Sequence, residues 1–95
     1  MDPWRYEGDR AGAKTRLETI LKGMPRVTVY HGGVDYVHAE FRSLLFRFVD
    51  DVEFYFPMYE PVIHFRSASR LGSWDLGANK RRMTVLTERW AQPAP

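Results

Sequence analysis

Residues 36–42, 51–56 and 62–67 each alternate between apolar and polar side chains with a period of two. Val37, Ala39 and Phe41 oppose Tyr36, His38, Glu40 and Arg42. Val52, Phe54 and Phe56 oppose Asp51, Glu53 and Tyr55. Ile63 and Phe65 oppose Val62, His64 and Arg66. Successive side chains of a strand point to opposite faces, so this pattern predicts strands with one apolar and one polar face. Parallel neighbours need a crossover of about a dozen residues or more, and the connections here are short. The strands therefore form an antiparallel meander. Val27-Thr28-Val29-Tyr30 adds a β-branched and aromatic strand before the Gly32-Gly33 turn. Residues 47–49 are read as a further strand start or a bend, and residues 4–7 as a short first strand.

Two helices are available to cover the apolar face. Asp9 is a good amino-cap, and Ala13, Leu17, Ile20, Leu21 and Met24 then form one apolar stripe. That predicts a helix over about residues 10–22, stopped by Gly23 and Pro25. A second helix is expected over about residues 75–90, capped by Ser73 or Asp75, with Leu76, Met83, Leu86 and Trp90 inside. The expected fold class is α+β: an antiparallel sheet of four to five strands with two helices packed on one face, a two-layer sandwich. With 95 residues, the chain has room for one domain, its core over about residues 4–90 and a tail over 91–95.

Composition excludes several classes. Hydrophobic residues make up 44% and the charges nearly balance, which argues against a disordered chain. No run of about 18 apolar residues exists to span a membrane, although peripheral association is left open. Cysteine is absent, which removes disulfides, thiolate metal sites and thiol nucleophiles together. Met1-Asp2-Pro3-Trp4 lacks the basic stretch and apolar run of a signal peptide. The expectation is a cytoplasmic location by default, with a processed periplasmic or plastid form as the alternative. The net charge is +2, but residues 61–95 carry six basic and two acidic side chains.

Three motifs mark a relationship. Arg66-Ser67-Ala68-Ser69-Arg70-Leu71-Gly72 is followed by Asp75-Leu76-Gly77-Ala78-Asn79-Lys80-Arg81-Arg82. Phe46-Arg47-Phe48-Val49-Asp50-Asp51-Val52-Glu53-Phe54 and His38-Ala39-Glu40-Phe41 precede them. Over roughly residues 4–90 the chain resembles the uncharacterised family known as domain of unknown function 1499 (DUF1499). Ser73-Trp74 stands where a Tyr-Ser pair is common in that family. The resemblance implies no activity and no catalytic residue. Because some relatives are directed to plastids, it implies an accessory role in a membrane-associated or photosynthetic assembly.

Two constellations are candidate sites. On the polar sheet face, neighbouring strands would bring together His38, Glu40, Glu53, Tyr55, His64 and Arg66, since opposed side chains lie about 5 Å apart. Two histidines and two glutamates within that reach have the chemistry of a divalent-metal site or an acid–base pair. The plainer reading is a wet face of cross-strand ion pairs, each contributing under about 1 kcal/mol. The absence of H-x-H or H-x-x-x-H spacing favours it, so no metal is expected.

The second constellation is the segment before the last helix. Ser67, Ser69, Arg70, Gly72 and Ser73 could hold a small anion with free backbone N–H groups and a guanidinium fork. The plainer reading has the hydroxyls cap the helix while Arg66 and Arg70 pair with Asp50, Asp51 or Glu53. The glycine spacing is neither a P-loop nor a dinucleotide loop, so no cofactor is expected.

Lys80, Arg81 and Arg82 with Arg89 spread around a helix instead of forming one stripe. That predicts a solvated face and argues against nucleic acid. No Gly-x-Ser-x-Gly elbow supports nucleophilic catalysis. Trp4, Tyr6, Met58, Tyr59 and Trp74 are candidates for an exposed apolar patch. The expected function is a non-enzymatic binding module for a protein partner or a small anionic ligand. The alternative is a small enzyme or metal- or ligand-binding domain using His38, Glu40, Glu53 and His64.

Overall fold

A computed structural model of the chain describes residues 2–44, 48–70 and 77–92. The elements run β1 (Trp4–Arg5), α1 (Arg10–Lys22), β2 (Val27–His31), β3 (Tyr36–Arg42), β4 (Val49–Tyr55), β5 (Val62–Ser69) and α2 (Ala78–Ala91). All strand pairs are antiparallel, and the sheet order is β1-β5-β4-β3-β2. The meander expected from the alternating pattern is therefore β2 to β5. β1 joins its far edge, pairing Trp4 with Ile63 and Arg5 with Val62. The path from β1 to β2 must return across the whole sheet, and α1 makes that crossing. The fold is α+β, an open sheet with two helices.

Alternation places Val37, Ala39, Phe41, Val52, Phe54 and Ile63 on the inner face, where they are buried with Phe56. Ala13, Leu17 and Leu21 of α1 and Met83, Leu86 and Trp90 of α2 close over them in one cluster. Trp4 fastens the two-residue β1 into this core. Its ring stacks on Trp90 at 5.6 Å and lies 4.9 Å from Phe65, and its Nε1 donates to Thr87 Oγ1 at 3.0 Å. Trp4 is thus a core residue and no part of an exposed apolar patch. Tyr6 is half-buried, Met58 and Tyr59 are exposed, and Trp74 lies outside the described residues.

Asp9 caps α1 as expected, its carboxylate accepting from the Gly12 N–H at 2.7 Å. α2 begins later than the predicted residue 75. Gly77 precedes it at φ +79°, a left-handed conformation that no helical residue shares and that glycine adopts without strain. The proposed caps Ser73 and Asp75 and the inward Leu76 lie outside the described residues. At the other end the helix runs to Ala91. The stretch near Val49 and the strand expected over residues 51–56 form a single strand, β4, which runs from Val49 to Tyr55 and leaves Phe56 just beyond its end; Arg47 is outside the described residues.

Candidate functional site

The β4–β5 pair carries polar residues on both of its faces. Asp50 shares a face with Val52 and Phe54, and so points inward under α2. Its carboxylate accepts from Ser69 Oγ at 2.7 Å and pairs with Arg82 Nη2 at 3.0 Å. Arg82 also donates to Asn79 Oδ1 at 2.9 Å and lies over the Phe41 ring at 4.6 Å. Asn79 donates to Ser69 Oγ at 3.2 Å and accepts from Ser67 Oγ. Asp50 and Asn79 are 6% and 8% exposed, so the group is a buried polar network with internal partners. It docks the start of α2 on β4 and β5. Lys80, Arg81 and Arg89 are exposed, as a solvated helix face requires, but Arg82 is drawn inward by Asp50.

The outer face holds the second network. Arg70 grips Asp51 through Nε and Nη2, at 2.7 and 2.9 Å, and reaches Glu40 Oε1 at 3.0 Å. His38 Nε2 lies 2.7 Å from Asp51 Oδ1, and the His38 ring stacks on Tyr30 at 5.4 Å. Arg66 pairs with Glu53 at 3.3 Å. The Arg70 bonds, with help from His38, hold the Asp51 carboxyl below its usual range, while Asp51 and then Glu40 raise the Arg70 pKa. Burial, and next the negative charge of Glu53, push the Tyr36 hydroxyl up.

The sequence-derived polar face is thus real but is not one cluster. His38 and Glu40 come together, with Asp51 as the third member; their ligand atoms lie within 4.8 Å of one another. Glu53 faces His38 in register but bonds Arg66 instead, and His64 lies opposite the exposed Tyr55. A divalent cation at His38, Glu40 and Asp51 would have to displace Arg70, which already neutralises both carboxylates.

The second expected constellation is divided by the pleat. Ser67 and Ser69 belong to β5 and turn inward onto Asn79 and Asp50, whereas Arg70 lies outward against Asp51 and Glu40. Gly72 and Ser73 lie outside the described residues. Arg66 and Arg70 find Glu53 and Asp51, two of the partners named for them. Asp50, Asn79 and Arg82 escaped the sequence reading as a site. The signal was present: Asp50 is in phase with Val52 and Phe54, and Asn79, Arg82, Met83, Leu86 and Trp90 share one helical stripe.

A family model described as a protein of unknown function (DUF1499) matches residues 1–89. The chain belongs to the DUF1499 family. Searches of curated proteins and of solved structures returned no match. The DUF1499 motifs quoted from the sequence coincide with the two networks. Ser67, Ser69, Asn79, Arg82 and Asp50 form the inner one, and Arg66, Arg70, Asp51, Glu53, Glu40 and His38 the outer one. Among the described residues, no helix is long and apolar enough to cross a membrane.

Proposed function

We propose that this DUF1499 domain is a binding module, and that a partner protein docks on the outer face of its sheet. The observation that carries the reading is the one-sided build of the fold. Both helices pack on the inner face, and the outer face displays an ordered set of tyrosine, histidine and arginine side chains. Tyr30, at 45% exposure, and Tyr55, at 50%, present their rings there. Tyrosine and arginine are enriched at protein interfaces, and paired charges around them set register more than affinity. Arg42, Arg66 and Arg70 are matched by Glu40, Asp51 and Glu53, so the face suits a protein of mixed charge better than a polyanion.

The same pairs speak against acid–base chemistry. A catalytic carboxyl works best with a pKa near the operating pH, and Asp51 is moved the other way by Arg70. A domain that acts through such a face fits the accessory role, in a membrane-associated or photosynthetic assembly among others, that the family resemblance implies.

Site-specific photo-cross-linking in the native cell tests the proposal. A photoreactive residue replaces Tyr55, or Glu88 on the exposed side of α2 as a control. The expected result is a discrete adduct from position 55 that Arg66→Glu abolishes and that position 88 does not give. Equal adducts from both positions, or none from position 55, would overturn it.

A further inference from the structure

A second surface feature lies at the end of β3, next to the Arg70 cluster. Where the α1–β2 connection meets the end of β3 and the start of α2, a cavity of about 180 Å³ opens to the surface. Among the described residues that line it are four arginines, Arg26, Arg42, Arg81 and Arg82. Among the described residues no carboxylate lines it, and the rest of its wall is apolar, with Phe41 and Val85 among it. Arg81 already has an interaction of its own, so the positive charge that a ligand would meet is chiefly that of Arg26 and Arg42. Asp50 balances Arg82 from beneath. Glu40 reaches Arg42 only at 3.9 Å and is held more closely by Arg70.

The backbone supplies an independent observation. Arg26 sits at φ +54°, the only residue other than glycine with positive φ among those described. A left-handed backbone strains any side-chain-bearing residue, and such strain concentrates at functional sites. It is held here by two bonds to one neighbour: the Arg42 N–H donates to Arg26 O at 3.0 Å, and Arg26 Nε donates to Arg42 O at 3.1 Å. The strained turn therefore fixes the Arg26 side chain against the Arg42 backbone at the cavity. Arg82 is fixed from the opposite wall by Asp50 and the Phe41 ring.

We propose that this arginine-lined cavity is a binding site for a phosphate group. The planar guanidinium fork matches phosphate oxygens two at a time, and preorganised forks lose little freedom on binding. The cavity admits one compact anionic head, and its apolar wall accepts the first carbons of whatever carries that head. The site borders the outer sheet face through Arg42, whose partner Glu40 also holds Arg70, but its test uses neither Tyr55 nor Arg66.

The test uses the whole chain with two probes. Inorganic phosphate is titrated at constant ionic strength, with chloride as the balancing anion, and the melting temperature is followed. Separately, the protein is sedimented with phosphatidylcholine vesicles that contain or lack phosphatidic acid. Arg26→Gln and Arg42→Gln are compared with Arg89→Gln, an exposed arginine elsewhere on α2. The expected result is binding in one or both assays that each cavity variant weakens about tenfold or more and Arg89→Gln leaves unchanged. Stabilisation by phosphate without sedimentation identifies a soluble phosphate compound as the source. Sedimentation that requires phosphatidic acid identifies a lipid headgroup. Binding in neither assay, or binding that Arg26→Gln and Arg42→Gln do not weaken, would overturn the proposal.

Discussion

Breaking the buried Asp50–Arg82 pair from one side should cost far more than removing it whole. The two side chains meet at 3.0 Å beneath α2, and Asp50 is 6% exposed. Replacing Asp50 by Leu strands the Arg82 guanidinium over Phe41 and removes the acceptor of Ser69 Oγ. An uncompensated buried charge of this kind costs about 3–5 kcal/mol. A chain of this size holds only about 5–14 kcal/mol of stability in total, at roughly 0.05–0.15 kcal/mol per residue. The same loss corresponds to a fall in Tm on the order of 12–40 °C, at about 4–8 °C per kcal/mol. Arg82→Met strands Asp50 and should cost a similar amount. The double variant Asp50→Leu/Arg82→Met buries no charge and keeps the volume filled, so it should be more stable than either single variant. Urea unfolding of the four proteins, followed by tryptophan fluorescence, measures the coupling. Single costs under about 1 kcal/mol that simply add would refute the reasoning, because that is the behaviour of a solvent-screened pair.

Three further outcomes follow from the geometry. Trp4→Ala removes the ring packed on Trp90, Phe65 and Phe54 and should destabilise the domain by about 3–5 kcal/mol in the same urea assay; a loss below about 1 kcal/mol would show that β1 is not anchored. The lowered Asp51 pKa contributes stability that is fully present above the ordinary carboxylate value of about 3.9 and is lost as pH falls through the folded value, so the stability gap between the native chain and Asp51→Asn should close on acidification; a gap that widens in acid contradicts the assigned direction. Arg70 occupies the carboxylates of the His38, Glu40 and Asp51 group, so zinc should give no calorimetric heat with the native chain at micromolar concentration, while Arg70→Ala should create a measurable site; zinc binding to the native chain with micromolar affinity would show that Arg70 yields to a cation.

Most of the fold was legible because its signals are local. The period-two stretches around Val37, Val52 and Ile63 named the strands and their inner faces, and Asp9 named the start of α1. The start of α2 was not legible in the same way, because Gly77 reads as an ordinary helix residue until its φ is known. β1 was seen only as a possible strand, since its place depends on Trp4 meeting Trp90 across 86 positions of sequence. The outer face was legible as a set of residues but not as a set of bonds. Register puts Glu53 opposite His38, yet His38 takes the diagonal Asp51, while Arg66 pairs with Glu53. Side-chain reach decides such choices, and no pattern of single residues encodes it. The serine-and-arginine segment was misassembled for a simpler reason. The last strand was expected to end at Ser67, but it runs to Ser69, and a strand sends neighbouring side chains to opposite faces.

The dipeptide Asp50-Asp51 shows how the two faces divide their labour. Adjacent residues of β4 must point apart, so one carboxylate goes under α2 and the other goes to the open side. Each meets an arginine: Arg82 from the helix for Asp50, and Arg70 from beyond the end of β5 for Asp51. The environments differ, and so do the consequences. Asp50 is sealed by the helix, where an unmatched charge has no water to turn to. Asp51 keeps about a quarter of its side chain in solvent, where water takes over part of any lost contact. Neutralising Asp50 should therefore act on the fold, whereas neutralising Asp51 should act on whatever meets the outer face while leaving the domain largely folded. The two substitutions sit on consecutive residues of one strand, so a difference between them cannot come from local backbone propensity. It measures the difference between a charge that holds the helix to the sheet and a charge that is displayed.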